Sequence, residues 1–221
     1  SSAWSTSFTE SYPLPSMSPF INAMRESYPD VRLHLVESLS GNLERMINTR
    51  QLDLAIVFQQ EKILRWSARP VLEERLFLIG THALLASLPD DPVSPDQLTT
   101  LPLIMPSQGH GLRGRLEAVC QQHNLSVEVV ADIDGLALLM QAVRSGLGAT
   151  LQPGAAISHL DHQALRVIGI ANPVLSRPNF LVSLSDDELT PAGLAARVIL
   201  SKVMRQLVES DRWPGATLYV N

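Results

Sequence analysis

Short apolar strands alternate with helical segments through the first third of this chain. Strand patterns cover Trp4 to Phe8, Val31 to Leu35 and Leu52 to Phe58. Between them, apolar side chains recur at helical spacing from Ser16 to Tyr28 and from Leu43 to Ile47. This succession is typical of a largely parallel, doubly wound α/β sheet, because each helix brings the chain back for another parallel strand. Such sheets bind ligands at the carboxyl ends of their strands.

The middle of the chain repeats the alternation. The predicted strands and helices are, in order, Leu101 to Met105, Leu112 to His123, Val127 to Val130, Leu136 to Ser145 and Leu147 to Leu151. Gly146 is well placed to end the fourth of these elements, because glycine readily adopts the left-handed conformation that follows a helix. A second lobe of the same kind is therefore expected.

Two further strands, Arg75 to Gly80 and Phe180 to Leu184, are predicted to cross between the lobes. A long amphipathic helix follows from Pro191 and returns the chain to the first half. The sequence thus predicts two doubly wound α/β lobes joined by two crossing strands, with a cleft between them. Residues 1–78 plus 182–221 form lobe I, and residues 79–181 form lobe II.

Composition restricts the partners of the chain. Its 221 residues carry a formal net charge of −5 without a basic run, which argues against direct nucleic-acid binding. The single Cys120 cannot form an intrachain disulfide, which favours the cytoplasm. The sequence has no apolar run of about 18 residues, the length expected of a membrane span, so no membrane association is predicted. A start at Ser1 without Met suggests a fragment, although a processed protein would look the same.

Several segments, taken in this order, resemble one family, the effector-binding domains of LysR-type transcriptional regulators. They are Ser27 to Leu35 (SYPDVRLHL), Leu52 to Ile56, Phe77 to Gly80, Leu103 to Arg113, Ala142 to Pro153 and Leu189 to Gly193. The resemblance runs from about Ala3 to Glu209 and leaves a tail with Trp213, Tyr219 and Val220 unmatched. The segment from His110 to Arg113 looks closest to the nitrogen-assimilation-control and aromatic-catabolism subgroup.

The resemblance implies a fold like that of type 2 periplasmic binding proteins and a function in sensing, without enzyme activity, cofactor or metal. It implies a winged helix-turn-helix domain ahead of Ser1, and this chain contains nothing similar to it, so DNA would be bound only through that missing domain. It also implies a homodimer of this domain, paired through Ser16 to Tyr28 and Leu112 to His123, and a homotetramer of the full protein.

In this family the effector usually lies in the cleft, held by hydroxyls that follow the first two strands. Ser11, or Thr9 beside it, and Ser40 occupy the corresponding positions. Hydroxyls and free N–H groups at helix starts can hold an anion, so we expect a carboxylate or sulfonate. Ser11 and Ser40 can equally serve as helix caps, and the two roles can coexist.

Lobe II and one apolar residue complete the expected site. Pro106 and Ser107 follow its first strand, and Gln152 and Pro153 end a later one. An ordinary Pro/Gly loop would explain the first pair as well. Phe58 is either an apolar wall of the site or part of the core.

Other polar residues have simpler explanations than ligand binding. Arg113 could grip a carboxylate, but a helix-surface arginine and a solvated His110 are expected. His159 and His162 flank Asp161 without an evident third ligand, so a solvated turn explains them better than a metal site.

Two other functional classes remain open. A periplasmic solute-binding protein would share the two-lobed design and anion binding. A dinucleotide-binding enzyme would explain the pattern Gly109-x-Gly111-x-x-Gly114, with Asp132 or Asp134 as the ribose-binding acid. Against it, three residues separate the strand from the first glycine, and Asp134 is better explained as the cap of the helix at Leu136. The sequence contains neither a P-loop nor a G-x-S-x-G motif.

Overall fold

The computed structural model describes residues 5–10, 15–37, 45–58, 67–108, 111–157, 160, 163–171 and 175–219. The chain forms two compact units, Ser1–Glu74 with Pro178–Asn221, and Arg75–Arg177. The boundaries at 74/75 and 177/178 lie within two long strands. The boundaries predicted from the sequence, 78/79 and 181/182, lie four residues later in the same two strands.

The described part of the first unit contains a mixed sheet and three helices. Its elements are β1 (Ser5–Glu10), α1 (Met17–Ser27), β2 (Arg32–Glu37), α2 (45–48), β3 (Leu54–Val57), the start of β4 (Ser67–Thr81), the end of β9 (Ser176–Ser183), α6 (Pro191–Glu209) and β10 (Ala216–Leu218). The strand order is β10-β4-β9-β3-β1-β2. β1 runs parallel to β2 and β3, which confirms the predicted parallel crossovers, while β3 and β9 are antiparallel.

Burial along β3 shows why this strand is uninterruptedly apolar. Ala55 and Val57 belong to the same apolar cluster as Ile47 of α2. Leu54 and Ile56 alternate with them, and all four strand residues are buried. A strand buried on both faces needs apolar residues at every position.

The second unit is a smaller α/β assembly. After the end of β4 it contains a 3-10 helix (Pro95–Thr100), β5 (Pro102–Met105), α3 (Gly111–Gln122), β6 (Glu128–Asp132), α4 (Leu136–Arg144), β7 (Thr150–Pro153), α5 (Gly154–Ile157), β8 (Leu165–Gly169) and the start of β9. β5 and β6 are parallel, and β7 and β8 each pair with β4 in antiparallel fashion.

Alternating side chains of β5 place helices on opposite faces of this sheet. Leu103 and Met105 belong to the apolar cluster that includes Leu116 of α3. Ile104, between them, belongs to a separate cluster with Leu139 of α4. The strand period of two therefore confirms the doubly wound arrangement predicted for the second lobe.

Local chemistry fixes several helix ends. The Thr190 hydroxyl oxygen accepts a hydrogen bond from the N–H of Gly193 at 3.0 Å, and Pro191 lies in the first turn of the helix. Both residues favour a helix start here, so α6 begins where the sequence predicts. At the end of α4, Gly146 has φ +80° and donates to the carbonyl of Val143 at 3.0 Å. This confirms the predicted glycine stop.

The tail after α6 folds back onto the first unit. β10 pairs antiparallel with β4, with Leu218 opposite Leu72. Trp213 is 2% exposed and donates to the buried carboxyl of Glu74 at 2.9 Å. The sequence pattern does not predict β10, because a segment of three residues is too short to show the alternation of a strand.

Candidate functional site

The carboxyl ends of three strands of the second unit lie at one edge of its sheet. Met105 of β5 pairs with Asp132 of β6. On the other side of β5, Ile104 donates to the carbonyl of Ala149 at 2.7 Å, in a parallel bridge just before β7. The residues that follow β5 and β6, and those that end β7, are therefore brought to the edge where α/β sheets bind ligands.

Ser107 is held in place by Asp134. Its backbone N–H donates to Asp134 Oδ1 at 2.9 Å, and its hydroxyl donates to the same oxygen at 2.7 Å. The predicted N-cap position, Asp134, is wrong by one residue, because Gly135 is the N-cap of α4. Asp134 orders the loop after β5 through these two bonds to Ser107.

Arg113 is paired rather than solvated. Its Nε donates to Glu117 at 2.6 Å and its Nη1 donates to Asp132 at 2.9 Å, while its side chain is only 12% exposed. Burial lowers the pKa of the Arg113 guanidinium, but these hydrogen bonds and charges outweigh it, so the pKa lies above its ordinary value. An effector carboxylate at Arg113 would compete with the carboxylates of Glu117 and Asp132.

Gln152 carries a buried acceptor at the end of β7. The residue has no exposed surface, and its Nε2 donates to Thr150 Oγ1 at 3.0 Å. Its Oε1 is buried without a hydrogen-bond partner among the described residues. Such a group costs about 1–3 kcal/mol when unsatisfied, so it is suited to receive a donor from a ligand. The neighbouring Pro153 is buried, as is Pro106 after β5.

The predicted residues of the first unit are only partly described. Phe58 follows β3 and is 8% exposed, within the apolar core. Thr9 lies on β1, opposite Val36 of β2, and its side chain is outside the described part. Ser11 and Ser40 lie outside the described residues, as do His110, His159 and His162.

The third glycine of the dinucleotide-like pattern is not required by packing. A Cβ added at Gly114 would meet no atom within 4 Å, whereas the fingerprint uses this glycine for close helix–strand contact. Gly109 lies outside the described residues. In the described part of the chain, no cluster of three His, Cys, Asp or Glu side chains could hold a metal ion, and no helix is long and apolar enough to cross a membrane.

The sequence model of one family, the LysR substrate binding domain, matches residues 7–205. The chain belongs to this family. As a LysR substrate-binding domain it has the two-unit α/β fold related to type 2 periplasmic binding proteins, which confirms the predicted fold class.

Similar proteins agree with this assignment. The domain is 26% identical over 204 residues to the nitrogen assimilation regulatory protein nac of Escherichia coli, covering 88% of this chain and 63% of that protein. The chain thus spans less than two thirds of the length of this relative.

Solved structures share the fold at lower identity. The Synechocystis CcmR regulatory domain in complex with 2-PG has a TM-score of 0.79 at 16% identity, covering 92% of this chain and 98% of that one. The effector binding domain of QuiR in complex with shikimate has a TM-score of 0.77 at 15% identity, covering 92% and 97%.

Sequence reasoning missed the carboxylates that organise this LysR domain's strand-end edge. The ion pair between Arg113 and Glu117 could have been predicted from the sequence, because Glu117 lies four residues after Arg113 on the same helix. The contact of Arg113 with Asp132 depends on the pairing of β5 with β6, and the contact of Ser107 with Asp134 spans 27 residues. No local pattern in the sequence indicates either of these two contacts.

Proposed function

We propose that this chain is the effector-sensing and oligomerisation domain of a LysR-type DNA-binding transcriptional regulator. The observation that carries the proposal is the family match over residues 7–205. Relatives are named as regulators, among them the nac protein and the HTH-type transcriptional regulator CzcR of Bacillus anthracis, which is 29% identical over 140 residues. DNA binding would be performed by a part of the protein outside this chain.

The proposed effector is a small organic acid that also carries a hydrogen-bond donor such as a hydroxyl. The start of α4 supports the acid group, because its N-cap Gly135 has no side chain and N–H groups at a helix start can hold an anion. The unpartnered Oε1 of Gln152 and the carboxylate of Asp132, 55% exposed, support the donor, since both accept hydrogen bonds.

We propose Pro106, Ser107, Gln152 and Pro153 as effector contacts in the second unit. Thr9, Ser11, Ser40 and Phe58 are the corresponding proposals in the first unit. Ser107 supports this assignment because its hydroxyl proton is committed to Asp134, which leaves its oxygen lone pairs as acceptors for an effector donor.

Effector binding controls transcription, in this proposal, by changing the relative arrangement of the units and of the subunits. The ligand must bind one arrangement better than the other, and about 1–3 kcal/mol of coupling is sufficient. The domain would form a homodimer through α1 and α3, each of which has one exposed face, and the full protein a homotetramer. The proposed compartment is the cytoplasm, and we propose no enzymatic step.

A thermal-shift screen tests the proposal. The chain is heated with aromatic and aliphatic acids, each with and without hydroxyl groups, because binding to the folded state raises the melting temperature. The expected result is a dose-dependent rise for one hydroxy acid that Ser107→Ala reduces.

Ser145→Ala is the matched control for this screen. Ser145 is an exposed serine at the end of α4, and its hydroxyl donates only to the nearby carbonyl of Ala142. Equal reduction in both variants, or silence across the whole set of acids, would contradict the proposed site.

A further inference from the structure

A cavity of about 500 Å³ lies in the first unit, between α6 and the strands β4, β9 and β10. Its apolar wall comes from Val71, Leu181, Val198 and Leu218. Four cationic side chains, Arg69, Arg197, Lys202 and Arg205, also line it. The cavity contains none of the residues proposed above as effector contacts.

Positive charge predominates in this cavity. Arg197 is paired with Asp186 at 2.6 Å, and Arg205 approaches Glu209 only to 3.8 Å. Arg69 and Lys202 make no ion pair within the described part of the chain. Two uncompensated cations at one cavity, in a chain with a net charge of −5, favour an anionic occupant.

The C-terminal tail builds one side of the cavity. Leu218 pairs with Leu72 across β10 and β4, and Tyr219 donates its backbone N–H to the carbonyl of Val71 at 3.2 Å. The Tyr219 hydroxyl is also hydrogen-bonded to Glu73. These tail residues follow the end of the family match at residue 205.

We propose that this cavity is a second ligand site, which binds a small organic carboxylate with an apolar body. Its volume lies within the range of about 300–1,000 Å³ that is usual for small-molecule sites. Such sites combine mostly apolar walls with a few polar groups that orient the ligand, and here Val198 and Leu218 provide wall while Arg69 and Lys202 provide the charge. The proposal does not depend on the effector site or on the regulatory function.

Cyclohexanecarboxylate is a suitable probe, with cyclohexylmethanol as its neutral counterpart and sulfate as an anion without an apolar body. Binding is followed by titration of amide shifts in the ¹⁵N-labelled chain. We expect the carboxylate to shift the amides of Lys202 and Tyr219. It should bind at least about tenfold more tightly than the alcohol, because hydrogen bonds between charged groups are stronger than those between neutral groups. Sulfate should bind more weakly than the carboxylate.

Val198→Glu provides the decisive variant. Val198 is 65% exposed, so the fold does not depend on it, and Lys202 lies four residues later on the same helix. The new carboxylate neutralises the cavity and pairs favourably along the helix. We expect Val198→Glu and Arg69→Gln each to weaken probe binding at least about fivefold, a loss of about 1 kcal/mol. Arg25→Gln, at an exposed position on α1, should leave probe binding unchanged.

Each of the following results would overturn the proposal. The alcohol could bind as tightly as the carboxylate, the probe could bind equally well to Val198→Glu, or no cavity amide could shift at any probe concentration. Loss of probe binding in Ser107→Ala with retention in Val198→Glu would place the anion at the strand-end site instead, and would also overturn it.

Discussion

Replacing Trp213 tests whether the C-terminal tail stabilises the first unit. The indole is 2% exposed, and its N–H donates to Glu74, which has no exposed surface. Trp213→Phe keeps most of the apolar bulk but removes the donor to a carboxyl group, a loss of about 1.5–3 kcal/mol. Trp213→Ala also creates a large void and should cost about 3–5 kcal/mol.

Urea unfolding followed by circular dichroism at 222 nm measures both free energies, since this readout does not depend on the removed tryptophan. Glu74→Gln is the matched variant, because its amide oxygen still accepts the indole N–H. In that background Trp213→Phe should cost about 1 kcal/mol less than in the native chain, as expected for coupled neighbours. A cost within about 0.5 kcal/mol of zero for Trp213→Phe, the scatter usual for surface changes, would refute the reasoning.

Three further predictions concern the second unit. Gly148→Ala should destabilise this unit by about 1–3 kcal/mol, because the new Cβ would lie 2.7 Å from the backbone carbonyl oxygen of Pro102 on the neighbouring strand. Gly114→Ala, with no atom within 4 Å of the new Cβ, should stabilise α3 by about 0.5–1 kcal/mol. Chemical denaturation of both variants measures these changes, and equal effects would contradict the prediction. Arg113→Gln should lower the free energy of unfolding by about 1–2 kcal/mol, and by less when Asp132 is already replaced by Asn. Denaturation of both single variants and of the double variant measures this coupling, and additive effects would show that the two residues are not coupled. Burial of the Cys120 thiol, and to a smaller extent the negative charge of Glu117, raise the pKa of this thiol. Alkylation at pH 8 should therefore be slower than for a free cysteine and should accelerate only at higher pH. Labelling as fast as that of a model thiol would contradict the prediction.

The same pKa shift gives Cys120 a small effect on stability. Because the folded-state pKa lies above the unfolded value of about 8.5, its contribution is complete below that pH and is lost as pH rises through the folded pKa. Cys120→Ala should therefore flatten the decline in unfolding free energy above about pH 8.5.

The fold was predictable from the sequence where apolar periodicity is long and its ends carry their own chemistry. α1 and α4 lie within one residue of the predicted Ser16 to Tyr28 and Leu136 to Ser145. Gly146 and Pro191 mark a helix end and a helix start through local conformational preference alone. Such features need no tertiary contact to be recognised.

Strand limits were less predictable because pairing decides them. β4 runs over fifteen residues, Ser67–Thr81, although only Arg75 to Gly80 was predicted. Its polar first half is extended because β10 pairs with it, with Ala216 opposite Glu74. β7 begins at Thr150 rather than Leu147, since Leu147 still donates to the carbonyl of Ala142 in the helix stop.

The strand-end positions of Ser107 and Gln152 could be predicted from the sequence, but the charged groups near them could not. The apolar pattern indicated that Ser107 follows the first strand of the second lobe and that Gln152 ends a later one. It did not indicate that Asp132 accepts from Arg113 or that Asp134 accepts from Ser107, because those contacts span 19 and 27 residues. These carboxylates change the expected effector from a simple anion to an acid that also donates hydrogen bonds.

Hydrogen exchange measured by mass spectrometry tests the central claim most directly, that this domain senses a small molecule through its strand ends. The acid identified by thermal shift is added at saturating concentration, and amide exchange is compared with the free chain. We predict slower exchange in peptides that contain Ser107, Gly135 and Gln152, because bound ligand protects the loops and the helix start that it contacts. Unchanged exchange in all three, with protection confined to other peptides, would contradict the account.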